Sequence, residues 1–391
     1  MALDFSLSPE QQGIIARARA AFVPLAGWPA RARAGEMHEA AWAALGEAGF
    51  FAAAGADPGP AGGLLGLCLA LEELGAAGLP TMQPILTAAA AIAVARHGEE
   101  DLKHGLLPGV ATGTCRFCLA ITEAEAGFNT FRTKTRAERL GRFYRLTGSK
   151  IYTTGADVAE AMLVLARSIP YEECVERGLP KTAGLTWLVV DPAAPGVAKR
   201  EMPTRGEGVL RQFEIELFDV EIPVEDRVGG EGEGLPVLLD LIQIERALVA
   251  AMLVGAVRWC LDVASAHARE RKVWGDAPIG SYQAVQHPLA RAKVGEEAVR
   301  LLAWRAAWEY DAGASPKEVI ATANAAKLLA AALANETLRA ALQTLGGRGF
   351  DERAGLIHLL ETFALLDVAP ISAPLILNQV AEQALGLPRS Y

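Results

Sequence analysis

The spacing of apolar residues changes twice along this chain, and this change limits the possible folds more than any other feature. From residue 8 to about 117 the sequence is rich in Ala, Leu and Glu, with apolar residues at helical spacing. Residues 211–217 instead alternate strictly between polar and apolar side chains, as a half-buried strand does. After a glycine-rich link at 229–234, helical spacing returns and continues to about residue 383. The predicted order is therefore helical, then β, then helical.

This order predicts three domains. We expect an N-terminal helical domain at 1–117, a β domain at 118–228 and a C-terminal helical domain at 229–391. Two more strand-like runs, 142–147 and 184–190, lie inside the middle region, where Asp-Pro and Pro-Gly pairs mark turns.

The first helix has a recognisable start. Ser8 is predicted to be its N-cap, Pro9 its first residue and Gln11 the partner in a capping box.

Composition excludes several classes of protein. The chain of 391 residues has a net charge of −9 and no long basic run, so we expect no nucleic-acid partner. Uninterrupted apolar runs such as 247–257 are too short for a membrane span of about 20 residues. The first residues are acidic and do not resemble a signal peptide, and five cysteines in a chain this long do not indicate a disulfide framework. We therefore expect a cytoplasmic protein without a membrane span.

A glycine-rich segment interrupts the C-terminal helical region. It reads QTLGGRGF at 343–350, with three glycines in four positions. Each glycine inside a helix costs roughly 1 kcal/mol relative to alanine. The backbone must therefore open at this point, either for the close approach of a ligand or simply to end a helix in a C-cap turn.

Four motifs, taken together and in this order, resemble the acyl-CoA dehydrogenase family over essentially the whole chain. They are CLAITE at 118–123 with Ala126-Gly127, GSKIYTTG at 148–155, RKVWG at 271–275 with PIGSYQAVQ at 278–286, and QTLGGRGF at 343–350. The resemblance implies a mainly α fold with a middle β domain: an N-terminal helical domain, a β-barrel-like domain and a C-terminal four-helix bundle.

The resemblance also implies FAD as the cofactor. In the family, the glycine turn of one subunit approaches the FAD of its neighbour. Arg271 would meet the pyrophosphate, and Thr122, Tyr152 and Thr154 match positions that line the flavin ring. For Tyr152 the alternative is ordinary strand packing, and for Arg271 a solvated charge. The full set of FAD-binding residues implied is Ile121, Thr122, Tyr152, Thr154, Arg271, Trp274, Gln283, Gln343, Gly346 and Gly347.

The catalytic base departs from the usual family pattern. Most members carry a glutamate in the C-terminal helical region, at the position where this chain has Pro370. A minority place the base on the first long helix after the β domain, directly before an arginine, which matches Glu245-Arg246 here. Apolar residues at i±3 and i±4 frame Glu245, and such surroundings raise the pKa of a carboxyl group. The alternative is a structural glutamate tied to Arg246.

Two further residues are expected near the substrate, and no metal is expected. Phe128 stands where the family has a hydroxyl near the acyl-CoA, and Arg246 adjoins the predicted base. Cys115-x-x-Cys118 resembles half a zinc site. On a strand, however, residues i and i+3 point to opposite faces, and no second pair follows.

The predicted function is FAD-dependent α,β-dehydrogenation of an acyl-CoA thioester, of the kind found in fatty acid or steroid catabolism, with Glu245 as base. Electrons would pass to an electron-transfer acceptor, and the chain would form a homo-oligomer, either a dimer or a tetramer. One alternative is a catalytically degenerate flavin-binding subunit that requires a heteromeric partner. Another is oxidase or monooxygenase chemistry on the same fold.

Overall fold

The computed structural model describes residues 6–25, 34–55, 63–205 and 210–389. The N-terminal region is helical. Ser8 caps its first helix in the predicted way: its hydroxyl accepts from the Gln11 N–H at 3.2 Å, and the Gln11 side chain accepts from the Ser8 N–H at 2.9 Å. The helices are α1 (Pro9–Phe22), α2 (Ala34–Glu47), α3 (Phe50–Gly55), α4 (Gly63–Ala76), α5 (Gln83–His97) and α6 (Glu100–Ala111).

The middle region forms one eight-stranded sheet in the order β6-β7-β3-β2-β4-β5-β8, with β1 paired to β4. The predicted strands at 142–147, 184–190 and 211–217 are confirmed within β3, β5 and β7. The sheet has a hydrophobic core of its own, which includes Tyr144, Met162, Leu188 and Ile215. The elements are β1 (Phe117–Ala120), β2 (Arg136–Leu140), β3 (Phe143–Thr154), β4 (Ala161–Arg167), α7 (Tyr171–Glu176), β5 (Leu185–Val190), β6 (Val197–Met202), β7 (Gln212–Pro223) and β8 (Arg227–Val228).

The C-terminal region consists of three long helices followed by two short ones. The long helices pack on one another, and both short helices pack on the third long helix. A cis Ala369–Pro370 bond lies in the connection between the two short helices. The elements are α8 (Leu235–Glu270), α9 (Gln283–Asp311), α10 (Pro316–Leu345), α11 (Leu359–Val368) and α12 (Ala373–Gln383).

The longest helix, α8, holds the two helical regions together. It packs on α4 and α5 from the N-terminal region and on α9 and α10 from its own. These contacts bury most of its length in one continuous apolar core. The predicted fold class, mainly α with a middle β domain, is confirmed.

One stretch, 359–383, is long and apolar enough to cross a membrane by length and composition alone, with a mean hydropathy of 1.6. In the structure it is broken into α11, of 10 residues, and α12, of 11 residues. Each helix is about half as long as the roughly 20 residues that a span requires.

Candidate active site

Glu245 lies near the middle of α8 in an apolar environment. Its helix neighbours Leu241, Leu248 and Val249 are buried, and Glu245 itself is half-buried. Burial raises the pKa of its carboxyl group to about 7, although the positive charges of Arg246 and Lys327 act in the opposite direction. Within the described residues the Glu245 side chain makes no hydrogen bond or ion pair. The carboxylate is therefore free to accept a proton from a bound molecule.

Arg246 hydrogen-bonds to a residue of α10. Its Nη1 donates to Oδ1 of Asn324 at 2.6 Å, and the Asn324 amide in turn bonds to Gln379 of α12. Burial lowers the pKa of Arg246 to about 10. The hydrogen bonds of Arg246 thus link α8, α10 and α12, and they do not tie Glu245 to its neighbour.

Pro370, the position predicted to match the family's usual base, lies between α11 and α12. Pro370 has no titratable group, so no proton acceptor is present at that point of the chain. Lys327 of α10 contacts both sides of it: its Nζ donates to the carbonyl oxygen of Ile371 at 2.7 Å and to that of Asp367 at 3.2 Å. This lysine was not singled out from the sequence, where it appears only as one charge in an alanine-rich helix.

The two β-domain motifs are held together by a buried ion pair. Ile121 and Thr122 directly follow β1, and the carbonyl oxygen of Thr122 accepts from the Ile151 N–H of β3 at 2.9 Å. Lys150 of β3 donates to the Glu123 carboxylate at 2.7 Å and to the carbonyl oxygen of Ile121 at 3.0 Å. The pair was not predicted from the sequence, where the available signal was one acidic residue in the first motif and one basic residue in the second.

Two predicted flavin-side residues lie at an irregularity in β3. The strand's pairing with β7 shifts between Lys150 and Thr153. Tyr152 within this shift has a φ of 56° and is 52% exposed, whereas Thr154 is buried. Positive φ is uncommon for a residue other than glycine and is often found at binding sites. The bulge therefore turns Tyr152 outward, unlike an ordinary strand residue packed in the core.

The predicted FAD-binding residues after the end of α8 lie in a closed loop and at the start of α9. Arg271 caps the end of α8, and its carbonyl oxygen accepts from the Ile279 N–H at 2.7 Å. This bond closes a loop on which Trp274 is 79% exposed. Gln283 is exposed at the start of α9.

The glycine turn is also exposed. Gln343 points outward near the end of α10, and Gly346 ends that helix with a φ of 58°. A β-carbon added at Gly346 or Gly347 would meet no atom within 4 Å. The turn thus ends α10, which is what the C-cap alternative predicts. Its backbone is also accessible to a ligand or to another chain.

The structure groups these residues at two separate places. The Arg271 loop and the glycine turn both lie near His267 of α8. Burial is the main cause that lowers the pKa of His267, and the guanidinium groups of Arg348 and Arg271 lower it further. A cleft of about 370 Å³ separates His267 and Glu270 from Arg348. Glu245 lies about 38 Å from Glu270 along α8, at roughly 1.5 Å of rise per residue, so it is far from the Arg271 loop of the same chain.

Phe128 and the cysteine pair complete the predicted set. Phe128 is 63% exposed in the loop after the first β-domain motif. Cys115 and Cys118 are both buried, and burial raises the pKa of their thiols to about 11 and about 12. The described parts of the chain contain no group of three or more metal-binding side chains.

Family models match the chain in three consecutive parts. The N-terminal domain of acyl-CoA dehydrogenase matches residues 8–114, the middle domain matches 118–220, and the C-terminal domain matches 232–368.

Curated relatives match over most of their length. Acyl-CoA dehydrogenase FadE12 of Mycobacterium tuberculosis is 34% identical over 334 residues, which are 85% of this chain and 84% of the relative. Cyclohex-1-ene-1-carbonyl-CoA dehydrogenase of Geobacter metallireducens is 31% identical over 78% of each chain. The L-prolyl-[peptidyl-carrier protein] dehydrogenase of a Serratia strain is 30% identical over 70% of this chain and 68% of its own.

Solved structures match the whole fold. A glutaryl-coenzyme A dehydrogenase in complex with glutaryl-CoA superposes with a TM-score of 0.88 at 24% identity, covering 99% of this chain and 98% of the other. PigA with FAD and proline superposes with a TM-score of 0.87 at 25% identity, covering 98% of this chain and all of PigA.

Proposed function

This chain belongs to the acyl-CoA dehydrogenase family, and we propose that it is an FAD-dependent oxidoreductase that desaturates an acyl thioester with Glu245 as base. One observation carries this proposal. Glu245 is a half-buried carboxylate with a pKa of about 7 and no hydrogen-bond partner among the described residues. A base with a pKa near the working pH is well suited to remove a proton.

The residues of this chain suit FAD. Open backbone at Gly346 and Gly347 leaves room for a ligand to approach closely. Arg271 supplies a guanidinium suited to phosphate oxygens, and Tyr152 and Thr154 line the β3 irregularity. The match to PigA with FAD and proline supports the same cofactor.

The chemistry divides between the protein and the cofactor. Glu245 accepts the proton from the α-carbon of the thioester, and its apolar surroundings exclude water from the carboxylate. FAD, when bound, supplies the acceptor for the hydride that leaves the β-carbon. Two C–H bonds break and one C=C bond forms, and an external electron acceptor would then reoxidise the flavin. The relatives named above act on CoA and carrier-protein thioesters, which supports a thioester substrate.

We further infer that copies of the chain associate. The proposed base Glu245 and the Arg271 loop lie about 38 Å apart along α8, so a second copy would complete each site. In addition, α9 exposes Val294, Leu301 and Trp308 at seven-residue spacing, which forms an apolar stripe on one face of the helix. A homo-oligomer is the simplest assembly that covers this stripe.

The test is an anaerobic titration of the FAD-loaded protein with a panel of CoA and pantetheine thioesters. We expect the absorbance of oxidised flavin to disappear with at least one of them. Glu245→Gln should lower the rate of this reduction by about 10³-fold, within the usual contribution of a general base. Glu336→Gln, at an exposed glutamate of α10, is the matched control and should leave the rate unchanged.

Three results would contradict the proposal. Equal reduction in Glu245→Gln would exclude Glu245 as the base. A flavin that stays oxidised with every thioester would exclude dehydrogenation by this chain alone, and activity restored by a second subunit would then favour the heteromeric alternative. Oxygen consumption without a thioester would favour oxidase chemistry.

A further inference from the structure

Lys327 is a buried cation without a carboxylate in direct contact. It lies on α10, and only 1% of its surface is exposed. Within the described residues its ammonium forms no ion pair, and its hydrogen bonds go to the main-chain carbonyls of Asp367 and Ile371. Burying an ammonium in this way costs free energy, which the two hydrogen bonds partly offset. A buried charge of this kind indicates a specific role.

The two carbonyls lie at the ends of a five-residue segment. Asp367 is in the last turn of α11, where carbonyl groups have no partner within the helix. A positive charge at this point also interacts favourably with the negative end of the helix dipole. Ile371 lies beyond Pro370, which has no N–H group to donate. Lys327 therefore ties together both sides of the segment 367–371.

Lys327 and Glu245 also influence each other electrostatically. Burial lowers the pKa of Lys327 to about 8, with Asp367 of α11 and Glu245 of α8 opposing that change and Arg246 adding to it. Apart from burial, the charges that act on Glu245 are Arg246 on its own helix and Lys327 on α10, and both lower its pKa. The pKa of Lys327 thus lies above that of Glu245, so most of the lysine is protonated at the pH where Glu245 is half-ionised.

We propose that Lys327 is a positioning residue for the reaction proposed above. Its ammonium fixes the segment 367–371, which carries Pro370 where most of the family has its base, and holds a positive charge that favours the ionised form of Glu245. The segment that carries proline in place of the usual base is thus held from α10 at both of its ends, Asp367 and Ile371. The electrostatic role of Lys327 rests on the proposed function, with Glu245 as the base. The anchoring of the segment 367–371 does not depend on it.

The first test measures amide hydrogen exchange in the FAD-loaded protein. Lys327→Met keeps the length and apolar stem of the side chain but removes both hydrogen bonds. We expect exchange to become at least about tenfold faster in peptides that contain residues 367–373, and to remain unchanged in β3. Lys317→Met, at an exposed lysine of the same helix, is the matched control and should change neither. If Lys327→Met does not fold, Lys327→Gln, which removes the charge but retains a donor, is used for the pH measurement below.

The second test measures the pH dependence of flavin reduction. Loss of the positive charge should move the midpoint of the rate profile upward by about one pH unit, because an opposite charge nearby favours the carboxylate. Lys327→Arg, which keeps the charge, should restore most of the original profile. A merely structural lysine would change the unfolding temperature without moving this midpoint.

The outcomes separate the two proposals. Exchange and midpoint both unchanged in Lys327→Met would overturn the positioning role. An unchanged midpoint with faster exchange would overturn the electrostatic half. If the unmodified protein is not reduced by any thioester, the proposed function fails, and the exchange measurement alone then decides whether Lys327 anchors the segment.

Discussion

Gly75 of α4 and Gly255 of α8 bring the backbones of these two helices into direct contact. A β-carbon at Gly255 would lie 1.9 Å from the carbonyl oxygen of Glu72, and one at Gly75 would lie 2.1 Å from that of Met252. The contact is therefore reciprocal, and it joins the N-terminal and C-terminal helical regions. Neither residue has positive φ, so the close approach, and not the local conformation, requires glycine here.

Gly255→Ala should destabilise the protein by about 3 kcal/mol, because its methyl group would meet backbone that cannot rotate away. The free energy of unfolding in urea measures this. Gly105→Ala is the matched control, since Gly105 is an exposed helical glycine with no atom within 4 Å of the added carbon. It should be neutral or stabilising by up to about 1 kcal/mol. Equal effects of the two changes would contradict the close contact.

The rate of flavin reduction should rise with pH as Glu245 loses its proton. Its pKa is raised to about 7, and only the carboxylate form acts as a base. We therefore expect the rate to increase about tenfold between pH 6 and pH 8. Stopped-flow absorbance under anaerobic conditions measures this. A profile that is flat from pH 6 to pH 8 would mean that another group, or none, removes the proton.

Because its pKa is raised, ionised Glu245 destabilises the folded protein at high pH. Its folded-state pKa exceeds the ordinary value of 4.5, so its contribution to stability is present below about pH 4.5 and is lost as the pH rises through about 7. Glu245→Gln should therefore unfold at a higher temperature than the unmodified protein at pH 8. This result would show that its lost activity does not arise from misfolding.

The buried Glu123–Lys150 pair should be sensitive to removal of one partner. Lys150→Met leaves the Glu123 carboxylate buried without its ammonium and should cost about 3 kcal/mol of stability. The double variant Glu123→Gln with Lys150→Met should recover part of this loss. Urea unfolding of the single and double variants forms the cycle. Strictly additive losses would mean that the two side chains do not interact.

Acid should weaken this pair at a defined pH. Burial alone would raise the pKa of Glu123, but Lys150 and the Thr133 and Thr135 hydroxyls lower it to about 2. The stabilisation is thus present above the ordinary pKa of 4.5 and is lost as the pH falls through about 2. Between pH 4 and pH 2 the unmodified protein should lose more stability than the double variant, as thermal unfolding at each pH would reveal.

Gly347→Ala separates a cofactor contact from a simple helix end. In one copy of the chain, the added carbon meets no atom within 4 Å, and Gly347 does not have positive φ. The apoprotein should therefore keep its unfolding temperature to within about 1 °C, a change of a few tenths of a kcal/mol. If FAD approaches this backbone as proposed, retention of FAD should fall at least about tenfold. Unchanged FAD affinity would favour a plain C-cap turn.

Leu301→Glu tests the apolar stripe on α9. A charge in the centre of a buried contact is costly, so this change should reduce the assembly to smaller species. Size-exclusion chromatography with light scattering gives the mass. Val175→Glu, at an exposed valine of α7 in the β domain, should leave the mass unchanged. If the unmodified protein, Leu301→Glu and Val175→Glu all have the same mass, the stripe on α9 is not the contact between copies.

Local signals in the sequence were sufficient for much of the fold. The Ser8 cap and the strands at 184–190 and 211–217 depend on short-range spacing and hydrogen bonding, and the structure contains them as predicted. The glycine turn was also predictable from the sequence, because glycines interrupt an otherwise helical pattern and Gly346 ends α10. The broken apolar stretch at 359–383 was missed, because Pro370 divides it into two runs that each read as ordinary helix.

The sequence by itself determined the order of the domains, the family motifs and the absence of a carboxylate at Pro370, since each depends on residues close together in the chain. Only the tertiary structure decided which charges act on Glu245. Lys327, which acts on Glu245 together with the neighbouring Arg246, is 82 residues away in sequence. The guanidinium of Arg246 hydrogen-bonds to Asn324 of α10. The packing of α8 on α10 sets both the burial that raises the Glu245 pKa and the distance to the lysine that limits it. Long-range packing of this kind leaves no periodic trace in a single sequence.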